Sequence, residues 1–114
     1  MVFGAHVVVL SEDADADRAF LAEMFGFESV DADGGWLIFG LPPAELAVHP
    51  ADSSGAALYL MCRDLDAEME RLRTARVECS DVEEARWGSI TMVRLPSGGQ
   101  VGLYQPRHPT MVER

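Results

Sequence analysis

Two amphipathic helical segments, capped by Asp13 and Asp64, recur along this chain at an offset of 51 residues (64 − 13). Each is entered from an apolar β-type run and followed by three more. Such a chain must bury the same succession of faces twice. Many copies of a short period would suggest a solenoid, whereas two copies of a five-element unit suggest one pseudo-symmetric domain. The reading is a single domain over 1–114, with unit 1 at about 1–52, unit 2 at about 55–106 and a tail at 107–114.

In the first unit, residues 3–10 are valine-rich and read as a strand buried on both faces. "SEDADADRAFLAEMFGF" reads as a helix. Ser11 or Asp13 can cap it, acids occupy its first turn, Phe20, Leu21 and Met24 form its apolar stripe, and Gly26 ends it. Then come a strand at "FESVD", a turn at "DGG", a strand at "WLIFG", a break at "LPP", and a strand at "AELAVHP" stopped by Pro50. After the linker "ADSSG" the order repeats. "AALYLMC" is a strand, and "RDLDAEMERLRTARV" a helix with Leu65, Met69 and Leu72 on one face and Arg71, Arg73 and Arg76 toward its C-terminal end. "VECSD" is a strand, "EEARWG" a loop, "SITMVRL" a strand, "PSGG" a turn and "QVGLYQP" the last strand. Gly102 sits inside that last strand, where glycine contributes no side chain and costs backbone entropy.

Composition removes several function classes. With 19 acidic against 9 basic residues the net charge is −10, which repels nucleic acid. The apolar opening is too short to span a bilayer and lacks a basic leader, so a soluble, cytoplasmic protein is expected, with no membrane partner. Cys62 and Cys79 have no CxxC spacing and read as buried thiols. No nucleophile elbow, P-loop or dinucleotide fingerprint is present.

The element order, the stretches "HVVVLSEDADADRAFLAEMFGFE" and "DLDAEMERL", and the closing "LPSGGQVGLYQP" together resemble the vicinal oxygen chelate superfamily. That superfamily includes glyoxalase I, bleomycin and fosfomycin resistance proteins and extradiol dioxygenases. In its closing hairpin acids are commoner at the positions of Leu95 and Ser97. The resemblance implies an α+β fold in which two βαβββ units form one cupped mixed sheet with helices outside. It also implies a homodimer and a small molecule held in the cup.

Metal-dependent members of the superfamily place up to four ligands in that cup, from the first and fourth strands of each unit. The resemblance puts those positions on His6 and Glu45 in unit 1, and on Ala57 and Gly102 in unit 2. A catalytic divalent metal wants three protein ligands, and two are offered. His49 lies four residues beyond Glu45, about 13 Å along an extended strand. His108 belongs to a tail that, with Arg107, reads as solvated. No cofactor is therefore expected.

A carboxylate in an apolar strand is costly to bury unless paired or bordering a wet cavity, so His6 and Glu45 are expected to pair. They could bind a polar group or act as base and orienter. Alternation puts Val8 and Leu10 with His6, Ala47 and His49 with Glu45, and Tyr59 and Met61 with Ala57. It likewise puts Tyr104 beside Gly102. Trp36 and Trp87 fall near strand starts at the rim, and Trp36 and Phe39 read as core. Ala57 and Gly102 leave one wall bare, so an apolar ligand is expected to approach the sheet there. The leading expectation is a binding protein for a small apolar or aromatic molecule, with Tyr59, Met61, Trp87, Gly102, Tyr104 and His49 contacting it. The alternative is a lyase or dioxygenase whose divalent metal rests on His6 and Glu45 plus a ligand from substrate, water or a tail residue such as His108, which could fold back.

Overall fold

The computed structural model describes residues 7, 9, 11–45, 47, 50, 52–54, 56–110 and 112. The expected first strand falls almost wholly outside them, as do His6 and His49.

Helix α1 runs Ala14–Phe25. Asp13 caps it by accepting from the Ala16 amide at 3.2 Å, and Gly26 closes it in the left-handed region at φ 68°. Strands β1 (Ser29–Asp31) and β2 (Leu37–Phe39) form an antiparallel hairpin. Its turn is held by Asp31, which accepts from the Asp33 and Gly35 amides. Trp36 is not core. It is 65% exposed, with the Arg18 guanidinium 5.3 Å from its ring, because among the described residues no layer packs over it.

The second unit holds the larger sheet. Strand β3 (Tyr59–Met61) leads into α2 (Leu65–Thr74), then β4 (Glu83–Ala85), β5 (Gly88–Arg94) and β6 (Gln100–Pro106). The sheet order is β3-β6-β5-β4, with β3 parallel to β6 and the other pairs antiparallel. The fold is α+β. No described helix is long and apolar enough to cross a membrane.

The segment "EEARWG" contains a strand as well as a turn. Glu83–Ala85 pairs with Gly88–Ile90, while the expected strand at "VECSD" is reduced to a bridge between Cys79 and Val93. The register slips by one residue between the two pairings. Ser80 accommodates the slip, since its hydroxyl accepts from the Met92 amide at 2.8 Å and its carbonyl accepts from the Thr91 hydroxyl at 2.6 Å.

Alternation along β5 and β6 sorts the sheet into two faces. Val93, Val101 and Leu103 point toward the helices and join Leu65, Leu72 and Leu95 in one buried cluster. Phe20, Leu21, Met24 and Phe25 of α1 and Met69 of α2 pack against it, as the helical stripes require. Helix α2 is tied down at its start by its Asp64 cap and by the Leu65 amide, which donates to the Gln105 side chain at 2.9 Å. Gly102 and Tyr104 face the other way.

Asp17 is not a solvated first-turn acid. It is 4% exposed and accepts from both the Ser97 amide (3.0 Å) and the Ser97 hydroxyl (2.7 Å). A carboxylate at position 97 would oppose Asp17, whereas the serine there donates to it twice. Burial pushes the Asp17 carboxyl up, but the bonds from Ser97 and Ser11 outweigh it and hold the group below its ordinary value. A depressed carboxylate stabilises the fold above its unfolded pKa, and that contribution is lost as pH falls through the folded value. Asp17→Ala is thus expected to cost about 2 kcal/mol near neutrality. The gap between wild type and variant, read from urea midpoints, should hold at neutral pH and close below roughly pH 4. A gap that widens on acidification would show that the charge is not what Ser97 stabilises.

Candidate functional site

The face of β6 turned away from the helices carries Gly102 and Tyr104, opposite Met92 and Ile90 of β5. The parallel register sets Tyr59 beside Gly102 and Met61 beside Tyr104. Gly102 is where the tertiary structure departs most from the sequence reading. The wall beside it is not bare: a Cβ at Gly102 would fall on the Tyr59 ring, 2.5 Å from Cε1 and 2.9 Å from Cγ. Glycine here makes room for a neighbouring side chain of the same chain. The Tyr59 ring remains 41% exposed, so the face is open to solvent above it.

Tyr104 is the centre of the cluster. The rings of Tyr59 and Trp87 meet its ring edge-on, with centroids 6.0 and 5.6 Å away and interplanar angles of 89° and 77°. The His108 ring lies 6.2 Å away. The Tyr104 hydroxyl lies 3.4 Å from His108 Nε2 and also meets the Glu45 carboxylate, whose Oε1 is 3.9 Å from the same nitrogen. Burial, the Glu45 charge and the hydrogen bond donated to Glu45 all push the Tyr104 phenol above its ordinary value. It is therefore a neutral donor at physiological pH.

Arg107 is exposed yet anchored, and His108 is half-buried. The Arg107 amide donates to the Trp87 carbonyl at 2.8 Å, and its guanidinium reaches the Ala85 carbonyl (2.9 Å), the Ser89 hydroxyl (2.8 Å) and the Glu84 carboxylate. That anchorage turns the chain after β6 so that His108 lies back against Tyr104. His108 Nδ1 is 2.8 Å from the Pro109 carbonyl, which can only accept, so this nitrogen carries the proton. Nε2 lies 3.4 Å from the Tyr104 hydroxyl, whose single proton is donated to Glu45. The available sequence signal was the pair of prolines, Pro106 and Pro109, whose fixed φ disfavours a straight continuation.

Of the expected site residues, the structure brings together Glu45, Tyr59, Trp87, Gly102 and Tyr104, with Met61 alongside. His6 and His49 lie outside the described residues. Among the described residues no three His, Cys, Asp or Glu side chains are grouped to hold a metal ion. Ala57 and Gly102 carry no donor atom, and the Tyr59 ring covers the latter. The donor set of the second unit therefore does not fit a metal. The thiols add no ligand here. Cys62 is pushed up to about 11 by burial and by the Glu68 and Asp64 charges, and burial raises Cys79 as well.

Two surface hollows of about 300 and 400 Å³ lie elsewhere, one beside Met69, Arg73 and Cys79 and one between Phe20, Met24, Arg76 and Arg94. Neither gathers aromatic rings, whereas the Tyr104 cluster combines rings with polar groups, and the candidate site is placed at that cluster for this reason.

No family model matches the chain, and no curated protein matches it. Solved structures do. It is similar to TnmS3, an antibiotic binding protein from Streptomyces sp. CB03234, at 25% identity and TM-score 0.68, covering 93% of this chain and 98% of that one. A glyoxalase/bleomycin resistance protein from the same organism aligns at 26% identity and TM-score 0.60, over 85% and 95% of the two chains. Lactoylglutathione lyase from Agrobacterium tumefaciens shares the fold at 17% identity and TM-score 0.60, over 83% and 87%. The chain carries the vicinal oxygen chelate fold, the architecture common to glyoxalases, bleomycin resistance proteins and dioxygenases.

Proposed function

We propose that this protein binds a small aromatic molecule against the face formed by Tyr59, Trp87 and Tyr104, with Glu45 and His108 supplying polar contacts. One observation carries the reading. Two aromatic rings, Tyr59 and Trp87, and two polar side chains, Glu45 and His108, converge on the Tyr104 side chain from both units and the tail. Apolar surface with a few placed polar groups is the usual character of a small-molecule site. Similarity to a protein described as antibiotic-binding supports the same reading.

The protein works as a soluble homodimer in this proposal. The β1–β2 hairpin supports that part, because Val30 (67% exposed), Trp36, Ile38 and Leu41 leave apolar surface that a second copy would cover. Light scattering that reads a single-chain mass of 12.5 kDa would remove the dimer.

The binding reading is tested by thermal stabilisation, because a ligand that binds only the folded state raises Tm. Wild type and Trp87→Ala are screened against planar aromatic compounds, antibiotics included. The expected result is a compound that raises the wild-type Tm by several degrees and the variant's far less. No shift with any compound, together with near-stoichiometric metal retained on Glu45 through purification, would replace this reading with the metal-dependent enzyme.

A further inference from the structure

We propose that the Tyr104 site selects cationic aromatic ligands, seating an ammonium or similar positive group between the aromatic rings and the Glu45 carboxylate. This rests on the binding reading above and specifies the charge of the ligand.

Three observations lead to it. The rings of Tyr59 and Trp87 each stand nearly perpendicular to the Tyr104 ring, which gathers three electron-rich rings around one corner. The faces of such rings attract cations within about 6 Å of the ring centre. Glu45 meets the Tyr104 hydroxyl, with its Oε1 3.9 Å from His108 Nε2, and so places a carboxylate beside the rings.

Other charged groups lie around the corner. Glu84 is turned to the helix side by its bond to Ser89, so its neighbour Glu83, which pairs with Ile90, lies on the Tyr104 face. Arg107 is held on the helix side by Glu84 and Ser89 and directs its charge away from the corner. His108, whose Nε2 lies 3.9 Å from Glu45 Oε1, adds positive charge there only when protonated. The net charge of −10 adds long-range attraction for a positive ligand.

Three probes of one shape test the proposal: 1-naphthylmethylamine, which is charged at pH 7.5, 1-naphthalenemethanol, which is neutral, and 1-naphthylacetate, which is negative. Dissociation constants are measured by calorimetry in 150 mM salt with a chelator present. The amine should bind at least about tenfold tighter than the alcohol, and the acetate weaker than either. Glu45→Gln should bring the amine to the level that the alcohol shows in the variant, costing the amine about tenfold more than it costs the alcohol, and an unchanged circular dichroism spectrum reports an intact fold. Glu70→Gln, on the exposed side of α2, should change neither. An alcohol that binds as tightly as the amine would overturn the cation proposal and leave the aromatic site standing. Equal losses in Glu45→Gln and Glu70→Gln would overturn it too, as adsorption to an acidic surface. No binding by any of the three probes would overturn both this proposal and the reading beneath it.

Discussion

Leu72→Ala is expected to destabilise the protein by about 3–4 kcal/mol. Leu72 has no exposed surface and sits on α2 at the centre of a cluster with Leu65, Val93, Leu95, Val101 and Leu103. Truncation loses the transfer free energy of three carbons and leaves a cavity that flanking strands cannot fill. Both walls are fixed: β5 and β6 pair over seven residues, and α2 is held at its start by Asp64 and Gln105. For a domain of this size the corresponding fall in Tm is roughly 10–20 °C. A urea titration reads it as a lower midpoint at unchanged slope. A loss below about 1 kcal/mol would mean that the α2–sheet interface relaxes freely and that the core is looser than its burial implies.

Gly88→Ala is expected to cost about 2–3 kcal/mol, through overpacking. A Cβ at Gly88 would stand 2.5 Å from the Gln105 carbonyl oxygen and 3.2 Å from the Pro106 Cα. Those are backbone atoms of the paired strand and cannot rotate away, so β5 and β6 must separate at that end. The effect should reach the site, because Pro106 leads directly into Arg107 and His108, and Trp87 packs on Tyr104 one residue before the glycine. A shift in Trp87 emission should accompany the lost stability. Gly102→Ala is the comparison. There the added Cβ meets only the side chain of Tyr59, which is exposed enough to swing outward, so the cost should be smaller. A larger loss at Gly102 than at Gly88 would contradict this distinction between yielding and unyielding neighbours.

Much of the architecture was legible from local chemistry. Asp13, Gly26 and Asp64 act as the caps their residue types predict, and the stripes Phe20–Leu21–Met24 and Leu65–Met69–Leu72 face the core as helical periodicity requires. Gly98 closes the β5–β6 turn with a positive φ of 96°. These features depend on contacts within a few residues, so a single sequence carries them. The strand Glu83–Ala85 was not legible. Two adjacent glutamates and an alanine have little β-propensity, and the pairing exists because Gly88 and its neighbours return antiparallel alongside. Trp36 read as ordinary core packing, yet it is 65% exposed on the hairpin.

The site divides along the same line. Tyr59, Met61, Trp87 and Tyr104 could be named from alternation and from the family resemblance, since strand geometry fixes the face of each residue. The partnership of Asp17 with Ser97, 80 residues apart, could not. Nor could the return of His108 to Tyr104, which depends on Arg107 finding Glu84, Ser89 and a carbonyl on another strand. A sequence states which groups are available for such bonds and not which of them the chain brings within 3 Å. Gly102 shows the limit most clearly. From sequence, the missing side chain marks a lost carboxylate and an open wall. In three dimensions the parallel register of β3 and β6 puts the Tyr59 ring in that space, so close packing between two strands decided what the glycine is for.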